Sequence, residues 1–204
     1  MQRRPSLVPD LFHIKRTTVL DSPSSVRTEV CGTYTSLESA QAAALRRLQN
    51  EGYSRSSWEE YAENDLTTEA SSSWQYPASV VVHARKDGEV HDVEIESTPN
   101  SLGVRARAGD GRVEDQLFYV LRTIESEEGS VNSDIRSIHL SKQAAVTAAL
   151  GELVSGERNK NWYREYKEAA SVNPRDEDAE GPEMVVSAVG QDGEKYVVSV
   201  THES

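Results

Sequence analysis

Ser36-Leu37-Glu38-Ser39-Ala40-Gln41-Ala42-Ala43-Ala44-Leu45 reads as the start of a helix, and 105 positions further on the chain reads Ser141-Lys142-Gln143-Ala144-Ala145-Val146-Thr147-Ala148-Ala149-Leu150. Thr35 or Ser36 is the predicted N-cap, and Thr35 with Glu38 has the spacing of a capping box. Ala40, Ala44 and Leu48 fall on one helical face, flanked by Leu37, Ala43 and Leu45. Most of these side chains are small, so the helix can approach a sheet closely. The second run repeats the pattern with Ser141, Ala145, Ala149 and Leu153.

The match extends outward without a gap from residue 24 to residue 97. Ser25-Val26 falls on Ser130-Val131, Trp58 on Tyr163, and Glu60-Tyr61 on Glu165-Tyr166. Pro77 falls on Pro182, Val80-Val81 on Val185-Val186, and Asp87-Gly88-Glu89 on Asp192-Gly193-Glu194. The opening strand matches at a shift of 106: Phe12 on Phe118, Ile14 on Val120, and Arg16-Thr17 on Arg122-Thr123. One residue has been lost in the loop that follows, Ser22-Pro23-Ser24-Ser25. Self-similarity at a fixed period marks a duplicated structural unit.

Within one unit, Leu11–Leu20 and about Arg27–Tyr34 read as strands, followed by the helix. Trp58 and Tyr61, three apart, predict a second helical stretch. The polar segments 66–75 and 174–182 read as loops. Asp87-Gly88 suits a two-residue type I′ turn, in which both residues need positive φ. That turn sets Lys86 opposite Glu89, Val82 opposite Val93 and Val80 opposite Ile95. In the second copy it sets Val189 opposite Tyr196 and Val185 opposite Val200. The expected fold class is α+β, a tandem repeat of two β-β-α-β-β units. Each unit is a mainly antiparallel four-stranded sheet with helices on one face. The units are expected over 10–97 and 114–204, joined by a linker over 98–113 that carries Pro99, Gly103, Gly109 and Gly111. With only 36% of the chain hydrophobic, each core is thin, and the repeats are expected to pack on each other.

The 34 acidic and 22 basic side chains leave a formal charge of −12. Direct binding to nucleic acid or to an anionic membrane needs the opposite sign and is not expected. The single cysteine, Cys31, fits a reducing, intracellular compartment, most simply the cytoplasm. The opening MQRRPSLVPD lacks the apolar core of a signal peptide, and no apolar run approaches the roughly 18 residues of a membrane span.

Arg16-Thr17, Gly32-Thr33-Tyr34, Ser36–Leu48, Trp58-Glu59-Glu60-Tyr61 and Asp87–Ile95 together resemble small uncharacterised acidic proteins of filamentous fungi. The resemblance covers each repeat and implies a structural pattern with no activity attached. The second copy departs from it with Ser137-Ile138-His139 in place of Gly-Thr-Tyr.

Nucleotide-binding glycine motifs, metalloprotease histidine pairs and paired cysteines do not occur, so neither cofactor nor metal is expected. Cys31 lies on a strand at a position held by Arg136 in the second copy, and is expected to be partly exposed and unreactive. His83 and His91 share the closing hairpin but point to opposite faces. Glu59, Glu60 and Glu63, like Glu165 and Glu168, read as a solvated acidic face. Arg16 and Arg122 recur in both copies. An ion pair with a helix glutamate explains them, with an anion site as the alternative. Among the aromatics, Tyr61 and Tyr166 recur as packing residues. Trp74 and Tyr76 have no aromatic counterparts and, with Trp58 and Trp162, are the candidate binding residues. The expected function is that of a non-enzymatic interaction or scaffold protein whose partner is another protein. The alternatives are a small-ligand binding protein using the groove between repeats, and a nucleic-acid-mimicking inhibitor of a basic partner.

Overall fold

The computed structural model describes residues 8–21, 24–67, 74–154, 158–169, 172–173 and 181–203. The chain divides into two units, Met1–Asp115 and Gln116–Ser204. In the first unit β1 (Asp10–Asp21) and β2 (Ser24–Tyr34) precede two short helices, α1 (Leu37–Ala44) and α2 (Arg47–Asn50). Then follow β3 (Glu60–Glu63), β4 (Val80–Lys86) and β5 (Glu89–Pro99). The second unit repeats this with β6 (Phe118–Glu125), β7 (Val131–His139), α3 (Lys142–Gly151), β8 (Glu165–Glu168), β9 (Glu183–Val189) and β10 (Lys195–His202). Both sheets are antiparallel and have the same strand order, β2-β1-β5-β4-β3 and β7-β6-β10-β9-β8.

Each sheet therefore has five strands, not the four predicted, and the unit is not β-β-α-β-β. The fifth strand is the Trp58–Tyr61 stretch that was expected to be helical. The chain turns out of α2 through Gly52, at φ 93°, makes one 3-10 turn at Arg55–Ser57, and is extended from Trp58 onward. Glu59 N–H then bonds to Arg85 C=O at 2.9 Å, and β3 pairs along the free edge of β4. A lone helical turn must nucleate at a cost that few hydrogen bonds repay, whereas an open sheet edge offers partners at once.

The helix starts as its sequence requires. Ser36 Oγ accepts from Ser39 N–H at 3.2 Å and Ser141 Oγ from Ala144 N–H at 3.3 Å, caps worth about 1 kcal/mol each. Ala40 and Ala44, like Ala145 and Ala149, are fully buried against the sheet. Ile14, Val82, Val93 and Leu48 join the first pair in one core, and Val120, Val186, Val198 and Leu153 join the second. At eight to ten residues these helices owe their stability to that packing.

The Asp87-Gly88 turn forms as predicted, with φ of 52° and 81°, and sets Lys86 opposite Glu89 and Val82 opposite Val93. Val80 lies opposite Glu94 instead of Ile95, because the register slips between Val80 and Val82. In the second copy Tyr196 faces Ala188 and Val200 faces Glu183, one or two places from the expected partners. There only Gly193 takes positive φ. Gly193 N–H bonds to Gly190 C=O, and Gly190 N–H bonds to Glu194 C=O at 2.8 Å. This is the three-residue hairpin loop with a glycine bulge; it moves the register by one place, and a slip between Val198 and Ser199 moves it by another.

Thr98–Val113 is tied to the first unit. Tyr34 bridges Arg112, Ala106 bridges Val113, and Val104 and Val113 are buried. Ser24 and Ser25, expected in a loop, pair in β2, while 22–23 and most of 66–75 and 174–182 lie outside the described residues. Among the described residues no helix is long and apolar enough to cross a membrane.

Candidate functional site

A shared β-bulge builds the same corner in both units. In the first unit the β1–β2 register slips between Ile14 and Lys15, leaving Cys31 as the extra residue. In the second, β6 and β7 slip between Val120 and Leu121, leaving Arg136 extra. A bulge bends its strand and re-aims a side chain. Beside it stands the recurring arginine, with an acid opposite on the paired strand, Arg16 on Glu29 and Arg122 on Asp134.

In the first unit this corner is closed. Arg16 Nη2 bonds to Glu29 at 2.7 Å and Arg16 Nη1 bonds to Glu51. Arg47 Nε holds Glu51 from the other side at 2.6 Å. Tyr53, Trp58 and His91 cluster nearby, with Tyr53–Trp58 and Trp58–His91 centroids both 5.1 Å apart and His91 opposite Thr18, two residues along β1 from Arg16. Cys31 is buried beneath, against expectation, and burial pushes its thiol up to about 11. A thiol so protonated is a poor nucleophile.

In the second unit the corner is open. A pocket of about 590 Å³ is bounded by the guanidinium groups of Arg122, Arg136 and Arg158 and the carboxylate of Glu152. Leu153, Trp162, Tyr163 and Tyr196 form its walls. Glu152, the C-cap residue of α3, accepts from Arg136 Nε at 2.6 Å and lies 3.5 Å from Arg122 Nη1. Arg122 Nη2 is also 3.5 Å from Asp134. Aspartate is one methylene shorter than the glutamate of the first unit, so Arg122 is held at the outer limit of hydrogen bonding. Arg158 lies over the Trp162 ring, 4.5 Å from its centroid. Tyr163 is buried, donates its hydroxyl to Leu153 C=O at 2.8 Å, and meets the rings of Trp162 and Tyr196 edge-on. Burial, with a hydrogen bond to Glu194, raises the Tyr196 phenol to about 12, so it stays neutral.

The four predicted binding residues fall in three places. Trp162 lines this pocket, and Trp58 sits in the closed corner of the first unit. Trp74 and Tyr76 form a separate ladder: Tyr76 stacks on His83 with centroids 3.9 Å apart, and Trp74 meets Tyr76 edge-on at 5.0 Å. Trp74 is half-buried, its indole N–H bonding to Pro77 C=O at 3.1 Å, and Tyr76 donates to Glu60. His83 and His91 do lie on opposite faces, His83 beside Asp92 and His91 beside Trp58. Tyr163 is buried, as are Phe118, Tyr119 and Tyr196, whereas Tyr166 is half-buried. Arg136, Arg158, Tyr163 and Tyr196 were not among the predicted site residues. Arg136 and Arg158 had a signal, for they fall where the first copy has Cys31 and Tyr53, just as Trp162 replaces Ser57. Departures from the repeat mark the pocket.

Among the described residues, no group of three or more His, Cys, Asp or Glu side chains is placed to hold a metal ion. A comparison with protein-family models, curated proteins and solved structures finds no match to this chain.

Proposed function

We propose that the protein is a small-ligand binding protein and that its second unit carries the binding site. The observation that carries this is the open corner between Arg122, Arg136 and Trp162, at positions where the first unit has an Arg16 paired to two glutamates, Cys31 and Ser57. Its volume of about 590 Å³ falls in the range of ligand pockets, roughly 300–1,000 Å³. The lining offers groups that hold a ligand: guanidinium forks, flat rings and one leucine. The one carboxylate among its described lining residues, Glu152, is engaged by two arginines. A fragment screen read by the indole N–H resonances of Trp58, Trp74 and Trp162 tests the reading. Ligands are expected to move the Trp162 signal and leave the other two in place. A screen that moves no indole signal, or moves Trp58 and Trp162 alike, removes the pocket as the site.

A second reading, non-enzymatic binding of another protein, is favoured by the Trp74–Tyr76–His83 ladder, because aromatic residues dominate such contacts. Trp74→Ala is expected to cost about 1 kcal/mol or less, the worth of one edge-on ring pair, and to weaken a partner complex. Thermal unfolding of the variant, beside its affinity for any captured protein, separates the two effects. A loss of stability with no change in affinity would return Trp74 to packing.

A further inference from the structure

We infer that the pocket of the second unit takes a small organic anion carrying a flat ring, with a carboxylate or a phosphate monoester as its charged end. The inference rests on the binding reading above and names the ligand class. Three guanidinium groups converge on one pocket in a chain whose formal charge is −12. A cationic ligand would meet like charges there, and the one carboxylate among the described lining residues, Glu152, is already 2.6 Å from Arg136. An anion meets guanidinium forks whose planar geometry suits carboxylate and phosphate oxygens. Arg122 is held loosely, with both acidic partners at 3.5 Å.

The first unit supplies the internal control. Its equivalent arginine is taken up by Glu29 and Glu51, and Tyr53 occupies the space above Trp58. The second unit replaces Cys31 by Arg136, Tyr53 by Arg158 and Ser57 by Trp162. Two positive groups and one large ring have thus entered the same corner, while the Arg47 position has become Glu152, which Arg136 engages. Arg158 rests on the Trp162 face at 4.5 Å, so a ligand ring can lie on a guanidinium plane already backed by an indole, or take its place on that indole. Rings stack on such faces whatever their substituents. The arginines then select for charge.

Four probes separate the contributions in titrations of the full chain, read by calorimetry and by the Trp162 indole resonance. Adenosine 5′-monophosphate and 2-naphthoate each combine a ring with an anion. Adenosine has the ring without the charge, and inorganic phosphate the charge without the ring. At least one ring anion is expected to bind ten times more tightly than either adenosine or phosphate, and whichever does so identifies the charged end. Its affinity should fall as salt rises. Arg136→Gln and Arg158→Gln should each weaken that probe about tenfold and leave adenosine unchanged. Both lie at the surface, and each variant's unfolding midpoint shows that the fold is kept. Adenosine binding as tightly as both ring anions, or affinity indifferent to both substitutions, overturns the ligand class and leaves the binding reading in place. A Trp162 signal that no probe moves overturns both.

Discussion

In the first unit Tyr53 lies against Trp58, and Glu29 and Glu51 take up Arg16; in the second Arg158 lies against Trp162, and a pocket opens beside Arg122. The two units share a bulge at the same place in the first strand pair, a capped helix, and a 3-10 turn leading into the edge strand. The difference lies in side chains that the fold does not require. One copy satisfies its arginine internally at 2.7 Å, and the other leaves it at 3.5 Å from both acids. A duplicated unit thus exposes function by subtraction. Residues kept in both copies hold the sheet and helix together. Residues that differ at one place show where one copy has been given another task.

The largest effect expected on this comparison is at the buried ring. Tyr163 is 5% exposed and its hydroxyl is bonded. Tyr163→Ala should therefore cost about 3–5 kcal/mol, as for other buried aromatics. Tyr53 is 40% exposed, and Tyr53→Ala should cost about 1 kcal/mol. Urea unfolding of both variants measures this, and equal losses would mean that the two corners are packed alike.

Acid should separate the units next. His13 is fully buried between Thr33 and Thr98, where the second unit has Tyr119. Burial, with Lys15 close by, lowers the His13 pKa to about 4. The unfolded chain takes up this proton near pH 6.5, while the folded unit resists until about pH 4. The contribution is thus complete above pH 6.5 and is lost as the pH falls towards 4, by up to about 3 kcal/mol. Unfolding free energies at pH 7 and pH 4.5 should differ more in the parent than in His13→Gln. The same pH dependence in both proteins would clear His13 of the effect.

The arginines give a smaller contrast. Arg16→Met removes two close charged hydrogen bonds and should cost about 2 kcal/mol. Arg122→Met removes two contacts at 3.5 Å and should cost no more than about 1 kcal/mol. A larger loss at Arg122 would show that its pairs are tighter than their lengths imply. The smallest change in stability is expected for Arg158→Tyr, which restores the first unit's residue at that one position. An exposed substitution of this kind shifts stability by about 0.5 kcal/mol or less, yet it should lower the affinity for the ring anion about tenfold. Unchanged affinity would mean that Arg158 does not shape the pocket.

The repeat, the helix caps at Ser36 and Ser141, the buried alanine faces and the Asp87-Gly88 turn were legible in the sequence, because each depends on residue types at short fixed spacing. The fifth strand was not, since Trp58 and Tyr61 at a spacing of three suit a helix as well as they suit a chain bending into a strand. The free edge of β4 decided between them, and that edge exists only after the sheet has formed. Register followed the same division. Where Asp87 and Gly88 both take positive φ, the turn sets the pairing locally; where only Gly193 does, a longer loop shifts it. The pocket is the most non-local feature of all. Arg122, Arg136, Glu152, Arg158 and Tyr196 come from two strands, the end of a helix, the segment after it and the closing hairpin. The sequence by itself determined which positions the two copies share and which they do not. Only the tertiary structure decided that the differing positions meet in one corner, because sheet pairing brings together side chains far apart along the chain.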